Sequence, residues 1–322
     1  MEKPGFSQAW FAGCGIFVYD TAIGALAHFN GTGVTFMSYR IITDTCCDFP
    51  SHMYQELDIS AAELTVRYHG QEYQSYTEQW LKQMYDGMRA GETASTSAVN
   101  PEGWKQVMEP ALQQEQDLLV LVFSSGLSTT YQSAVIAATE LQELYPQRKI
   151  RVIDTLCASR GQALLVWYAC RKRDQGMGLE ELGDWVENNK LHLAHWFTVD
   201  DLMFLKRGGR VSAATAVVGT MLQIKPVMHM DDEGRLSKVG TARGRKAALN
   251  AILKKFEETA LPGENETVFL CHGDCIEDTQ YLERELKSRY GVKEVVTYYV
   301  GAVIGSHSGP GTIALFFLAD HR

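Results

Sequence analysis

A chain of 322 residues with 45% hydrophobic content and a formal net charge of −9 is long enough for two domains with real cores. The acidic balance excludes a surface built for nonspecific nucleic-acid binding, which needs a basic footprint. Seven cysteines, odd in number and without framework spacing, exclude a disulfide scaffold and predict a reduced, cytoplasmic setting.

Residues 1–36 read as an N-terminal extension outside the fold. The apolar stretch over 10–18 is cut off by Asp20, well short of the ~20 residues a membrane span needs. A single lysine near the start makes Ala25-Leu26-Ala27 a weak cleavage site. No stable membrane insertion is expected, and transient membrane contact stays open. The first strand begins at Tyr39 and runs to Asp44; Asp44-Thr45-Cys46-Cys47-Asp48 is its turn and Pro50 opens a short helix. A hairpin over 63–73 breaks at His69-Gly70, and helices follow over 77–89 and 101–114. Between those helices, Thr93-Ala94-Ser95-Thr96-Ser97 is a hydroxyl-rich loop leading to Asn100-Pro101, a capped helix start.

Asp117-Leu118-Leu119-Val120-Leu121-Val122-Phe123 is too short for a typical helix and too apolar for a surface strand, so it predicts a buried strand of a parallel sheet. Ser124-Ser125-Gly126-Leu127-Ser128-Thr129-Thr130 then feeds a helix to residue 145. Hydroxyls and free backbone N–H groups between a strand and a helix make an anion site. A strand over 149–154 and a helix over 158–172 complete a first domain, 37–190, with a connecting helix over 176–189. Asp44 and Asp154, each in a turn after a strand, read as acceptors that shape those turns.

The second domain, 191–322, opens with a strand over 191–199. A small, apolar segment over 212–222 suits close helix packing, and 224–230 and 236–239 flank Asp231-Asp232-Glu233-Gly234 as a hairpin. Alternation resumes with a helix over 243–258, a strand over 267–271, a helix over 277–289 and a strand over 292–299. A Gly/Ser loop over 301–311 holds His307 before a last buried strand over 312–318. The fold class is α/β: two α/β domains with mostly parallel sheets covered by helices. From Lys206 to Lys246 nine basic residues face three acidic ones, which predicts a local basic face for one acidic partner or phosphate group.

Three chemistries can be weighed. A free-standing serine hydrolase acting on a lipid-like ester would use Ser124, Ser125 or Ser128 with His307 as base, but Gly126-Leu127-Ser128-Thr129-Thr130 lacks the second glycine of a nucleophile elbow. A nucleotide enzyme lacks both usual glycine-rich phosphate motifs. Cys271-His272-Gly273-Asp274-Cys275 matches no common zinc spacing, so no metal is expected. The third is a binding protein whose neutral hydroxyls hold an oxyanion without consuming it.

In that third reading the chain resembles the DegV family, which includes the fatty acid-binding subunits of bacterial fatty acid kinase. The resemblance rests on Ile42-Thr43-Asp44-Thr45 with Asp48, Thr96-Ser97 with Pro101-Glu102, Phe123 through Ala134, and Val152-Ile153-Asp154-Thr155. It continues through Val199-Asp200-Asp201-Leu202, Leu205 through Val211, Lys225-Pro226-Val227, Ala242-Arg243-Gly244-Arg245-Lys246-Ala247 and His307, in one order from about residue 37 onward. Two departures stand out: Ala98-Val99 where the family usually has Gln-Pro, and Thr129 where it commonly has glycine. The resemblance implies one long-chain fatty acid buried between the two domains, with no other cofactor and no catalytic residue of the chain's own. Thr96, Ser125 or Ser128, and His307 would hold the carboxylate. Ser125 is favoured over Ser128, which sits where a helix cap is expected. The implied partner is the ATP-binding kinase subunit, which would phosphorylate the presented carboxylate, with Arg243 on the partner-facing side. Arg207 and Arg210 belong either to that same face or to a structural turn, Arg207-Gly208-Gly209-Arg210.

Overall fold

The computed structural model describes residues 9–12, 15–20, 25–30, 33–36, 39–214 and 223–322. Most of the small, apolar 212–222 segment lies outside the described residues. Upstream of residue 37, the strands Ala9–Ala12, Gly15–Asp20, Ala25–Asn30 and Gly33–Phe36 pair in sequence order as an antiparallel meander and join none of the other sheets.

The strand Asp117–Val122 is central, as its composition dictates. It pairs in parallel with Ile150–Asp154 on one side and Tyr39–Asp44 on the other, and Ile59–Ala62 adds in parallel outside Tyr39–Asp44. Its side chains alternate between two cores. Leu119 and Leu121 face one with Ile41 and Ile153, while Leu118, Val120 and Val122 face the other with Ile42. A strand with no wet face needs no polar residue, hence the unbroken apolar run.

The second sheet runs in the order Leu236–Arg243, Ile224–Met230, Leu193–Thr198, Ile313–Leu318, Thr267–His272, Glu294–Tyr299. Only the pair Thr267–His272 and Glu294–Tyr299 is parallel; the other four pairings are antiparallel. This corrects the expectation of a mostly parallel second sheet. The last strand, Ile313–Leu318, inserts between Leu193–Thr198 and Thr267–His272 and runs against both.

The helix Ser159–Asp174 lies between the two sheets. Eleven of its 16 residues are buried, as expected of a helix enclosed on all sides. Ala163 to Val166 share one core with Leu119 and Leu121 of the first sheet and Phe269, Ala314 and Phe316 of the second. The far face of the second sheet packs Ala194, Leu270, Leu315 and Phe317 against Leu249, Ile252 and Leu253 of the helix Arg245–Thr259. The layers therefore run helix, sheet, helix, sheet, helix.

At the junction, Asp48 is buried in a left-handed turn (φ 54). The Ser159 hydroxyl donates to its Oδ2, and Arg160 Nη1 donates to its backbone carbonyl at 3.0 Å. Burial pushes its carboxyl up from 3.8 to about 7, against the opposing bond from Ser159. A carboxyl raised in the folded state contributes stability that is full below pH ~4 and is lost as pH rises through ~7. The wild type should therefore gain thermal stability relative to Asp48→Asn as pH falls from about 8 to about 5. Parallel melting curves across that range would refute the assignment.

Candidate functional site

The carboxyl ends of the first-sheet strands carry the site. Asp44 Oδ2 accepts the Phe123 N–H at 2.7 Å and Oδ1 accepts the Cys46 N–H at 3.0 Å. Burial pushes the Asp44 carboxyl up to about 6 despite those bonds. Asp154 Oδ1 accepts the N–H groups of Ser125 at 3.2 Å and Leu156 at 3.1 Å. Both aspartates thus shape turns, as their positions predict, and fix the start of the serine loop.

The three serines of that loop have separate roles. The Ser124 hydroxyl is buried and donates to the Gly234 carbonyl at 2.7 Å, tying the loop to the second-sheet hairpin. Gly126 makes this approach feasible, since a Cβ there would lie 2.7 Å from the carbonyls of Glu233 and Gly234. Ser128 Oγ accepts the Thr130 N–H at 3.2 Å and lies 2.8 Å from the Thr130 hydroxyl, so it closes the turn just before the helix Thr130–Leu144, whose N-cap position is Thr129. Ser125 is half-buried, and its hydroxyl has no protein partner among the described residues.

Thr96 belongs to a short strand, Ser95–Ser97, where the sequence predicts a loop. That strand pairs antiparallel with Thr65–Tyr68, setting Thr96 opposite Val66. His307 lies in a helix, Ala302–Ser308, within the segment expected to be a Gly/Ser loop. The helix is fixed by tertiary contacts: the Ala302 N–H donates to the Tyr76 hydroxyl at 2.9 Å. These two elements bring Thr96 Oγ1 within 2.7 Å of His307 Nε2 across 211 residues of sequence.

Thr96, Ser125, Ser128 and His307 all line one cavity of about 450 Å³, within the usual range of about 300–1,000 Å³ for small-molecule sites. Its apolar wall includes Phe197, Cys271, Ala314 and Phe316, the second-sheet face that packs on the buried helix, together with Leu127, Met230 and Ile304. A neighbouring cavity of about 260 Å³ shares Thr96, Arg210 and His307 with it.

The arginines divide. Arg243 is exposed at the end of its strand and lines neither cavity; Arg207 is exposed over the Phe204 ring at 4.6 Å and lines the smaller one. Arg210, read as either partner-facing or structural, is half-buried and lines both cavities, its guanidinium donating to the Gly208 carbonyl. The left-handed Gly209 (φ 73) turns the chain back so that Arg210 points inward.

Two histidines line the large cavity. Both ring nitrogens of His195 are engaged: Nδ1 donates to the Leu193 carbonyl at 2.8 Å and Nε2 accepts the Ala158 N–H at 3.2 Å. Burial lowers it to about 3. It is a wall residue. His307 is lowered from 6.5 to about 4 by burial and then by the Arg210 charge, which favours the neutral imidazole at pH 7. Its partner is a threonine, and no serine hydroxyl bonds to it among the described residues.

Sequence reasoning missed the part played by Gly208. A Cβ at that position would fall 2.2 Å from His307 Nδ1, so the first glycine of Lys206-Arg207-Gly208-Gly209-Arg210 makes room for the imidazole. The elements of the zinc-like Cys271 to Cys275 segment are used internally: His272 Nδ1 accepts the Cys275 N–H at 3.2 Å and the Cys275 thiol donates to the Thr312 carbonyl at 3.3 Å. Among the described residues no helix is long and apolar enough to cross a membrane.

Comparison with known proteins gives the family. Residues 38–320 match the DegV model, described as an uncharacterised protein family. A DegV domain-containing protein of Clostridium perfringens is 40% identical over 286 residues, covering 88% of this chain and 98% of the relative. One from Lactococcus lactis is 34% identical over 288 residues, covering 88% and 98%. Among solved structures, a DegV family protein from Thermus thermophilus described for its fatty acid binding superposes with a TM-score of 0.79 at 32% identity, covering 88% of this chain and 100% of that one. A DegV lipid-binding protein from Thermotoga maritima gives 0.76 at 28% identity, covering 89% and 100%. The chain belongs to the DegV family.

Gly208→Ala is expected to push the His307 ring away from Thr96 and return its titration toward the ordinary 6.5. Imidazole NMR across pH 4–8 reads this directly, and an unchanged titration would remove Gly208 from the account.

Proposed function

We propose that this DegV family member binds one long-chain fatty acid between the domains read as 37–190 and 191–322 and presents its carboxylate, in the cytoplasm, to a separate ATP-dependent kinase subunit. The observation that carries the reading is a mostly apolar cavity whose polar residues Thr96, Arg210 and His307 also line the adjoining one. An acyl chain would fill the larger space, and its carboxylate would stand where a second reactant can reach it. The lipid descriptions of the Thermus and Thermotoga relatives support the ligand class.

Magnitudes divide the work. Burying about sixteen carbons at ~0.8 kcal/mol per methylene gives an upper bound of roughly 12 kcal/mol, whereas a hydrogen bond to a charged group nets about 1.5–3 kcal/mol. The tail dominates affinity and the head-group residues set orientation. Neutral His307 can donate from Nε2 to the Thr96 oxygen, which leaves the Thr96 O–H free to donate to the carboxylate. Ser125 offers an unshared hydroxyl. Arg210 supplies the positive charge, and no carboxylate pairs with it among the described residues. Ser128 also lines the cavity, but its oxygen already serves Thr130, so Ser125 is the preferred serine.

The hydrolase alternative lacks support from this geometry. A serine nucleophile needs a base within hydrogen-bond reach, and the base candidate His307 is bonded to Thr96. Extraction of the purified protein into organic solvent, followed by mass spectrometry, should release an intact fatty acid in about one-to-one ratio with the chain. An empty protein that turned over esters would reverse the choice.

Thr96→Ala and Ser125→Ala are expected to retain the lipid while cutting acyl phosphate formation about tenfold or more with the kinase subunit and ATP, since each removes an orienting bond of about 1.5–3 kcal/mol. Full kinase-coupled turnover in either variant would refute the carboxylate assignment.

A further inference from the structure

The side chain of Arg322 is buried, at 9% exposure, in a place the proposed chemistry does not use. It has no carboxylate partner among the described residues. Nη1 donates to the Asp231 carbonyl at 2.9 Å, and Nη2 donates to the Lys190 carbonyl at 2.8 Å and to the Cys157 sulfur at 3.2 Å. A buried guanidinium bound only to neutral acceptors is costly to desolvate. Its three partners come from three distant segments, and each leads back to the serine loop.

One path runs through the hairpin turn. The Asp231 carbonyl that receives Arg322 also accepts the Gly234 N–H at 2.9 Å. The Gly234 carbonyl accepts the Ser124 hydroxyl at 2.7 Å, and Ser124 Oγ accepts the Gly126 N–H at 3.2 Å. A second path closes the ring: the Ser124 N–H donates to the carbonyl of Cys157, whose sulfur Arg322 holds. A third passes through Lys190, whose ammonium donates to the Asp154 carbonyl at 3.0 Å, while Asp154 Oδ1 receives the Ser125 N–H.

We infer that Arg322 is a positioning residue for the carboxylate-binding loop. It clamps the 231–234 turn, Cys157 and Lys190 together, and so fixes the backbone from which Ser125 reaches the ligand. The inference rests on the fatty acid reading of the cavity and adds to it a determinant of head-group selectivity that touches no ligand atom. Its effect should fall on ligands with a carboxylate and spare ligands held by the tail alone.

The test compares wild type, Arg322→Ala and Arg322→Lys in two measurements. Hydrogen–deuterium exchange by mass spectrometry should show faster exchange over residues 123–128 and 231–235 in Arg322→Ala, with the paired strands around Thr65 and Ser97 unchanged. Affinity for hexadecanoic acid should fall about tenfold and affinity for hexadecan-1-ol less than about twofold, a difference of about 1.0–1.4 kcal/mol. Arg322→Lys, whose single ammonium cannot reach all three acceptors, should fall between, and it serves as the test protein if the alanine variant does not fold. Unchanged exchange over 123–128 would overturn the clamp. Equal losses for acid and alcohol would overturn the selectivity role and leave Arg322 merely structural. Failure of the wild type to bind either lipid would overturn the fatty acid reading instead, and the exchange comparison would still decide the clamp.

Discussion

The architecture depends on one spacer. Two sheets packed face to face lie about 10 Å apart, and an interposed helix about 10 Å across forces them wider. The helix Ser159–Asp174 is that spacer, buried on both sides along most of its length. Where it begins, at Ala158 and Ser159, the sheets remain apart and nothing of equal bulk fills the gap. The large cavity continues the helix layer. Phe197, Cys271, Ala314 and Phe316 line it because they belong to the same face that packs on the helix further along.

This origin explains why polar and apolar parts of the site separate. Residues drawn from sheet faces are apolar, since those faces are core everywhere else. The hydroxyls of Ser125 and Ser128 come from the loop beyond the strand Asp117–Val122, where the backbone has no ladder partner. The two cavity histidines illustrate the division. His195 sits within a strand and spends both nitrogens on backbone groups, whereas His307 comes from a helix at the rim and meets another rim side chain, Thr96.

Much of this was legible in the amino-acid order, for local reasons. The Asp117–Val122 run specified a strand buried on both faces; His69-Gly70, both at positive φ, specified the hairpin turn; and Asn100 before Pro101 specified a cap, with Asn100 Oδ1 accepting the Gly103 N–H at 2.8 Å. Thr96, Ser125, Ser128 and His307, hydroxyls and an imidazole in polar segments, line one cavity. What stayed hidden depends on distant partners. Ser95–Ser97 is a strand because Thr65–Tyr68 offers an edge. Ala302–Ser308 is a helix despite its glycines because tyrosines from the first half of the chain hold it, Tyr76 at its first turn and Tyr85 through the Val300 carbonyl at 2.8 Å. The inward turn of Arg210 depends on Gly208 and Gly209, whose effect shows only when the imidazole beside them is in place.

Arg210 also sharpens the choice of ligand charge. It is the one cationic side chain among the described residues lining the large cavity, and it stands beside an imidazole that burial and this same charge keep neutral. A neutral ester or alcohol at that point would leave a half-buried guanidinium without a counter-charge. A carboxylate would supply one, and by offsetting the Arg210 charge would also relax the repulsion that holds His307 low. Ligand and imidazole are therefore coupled through Arg210. On the proposed fatty acid reading, an anion would strengthen the donor capacity of the group beside it, a reinforcement that uncharged lipids would lack.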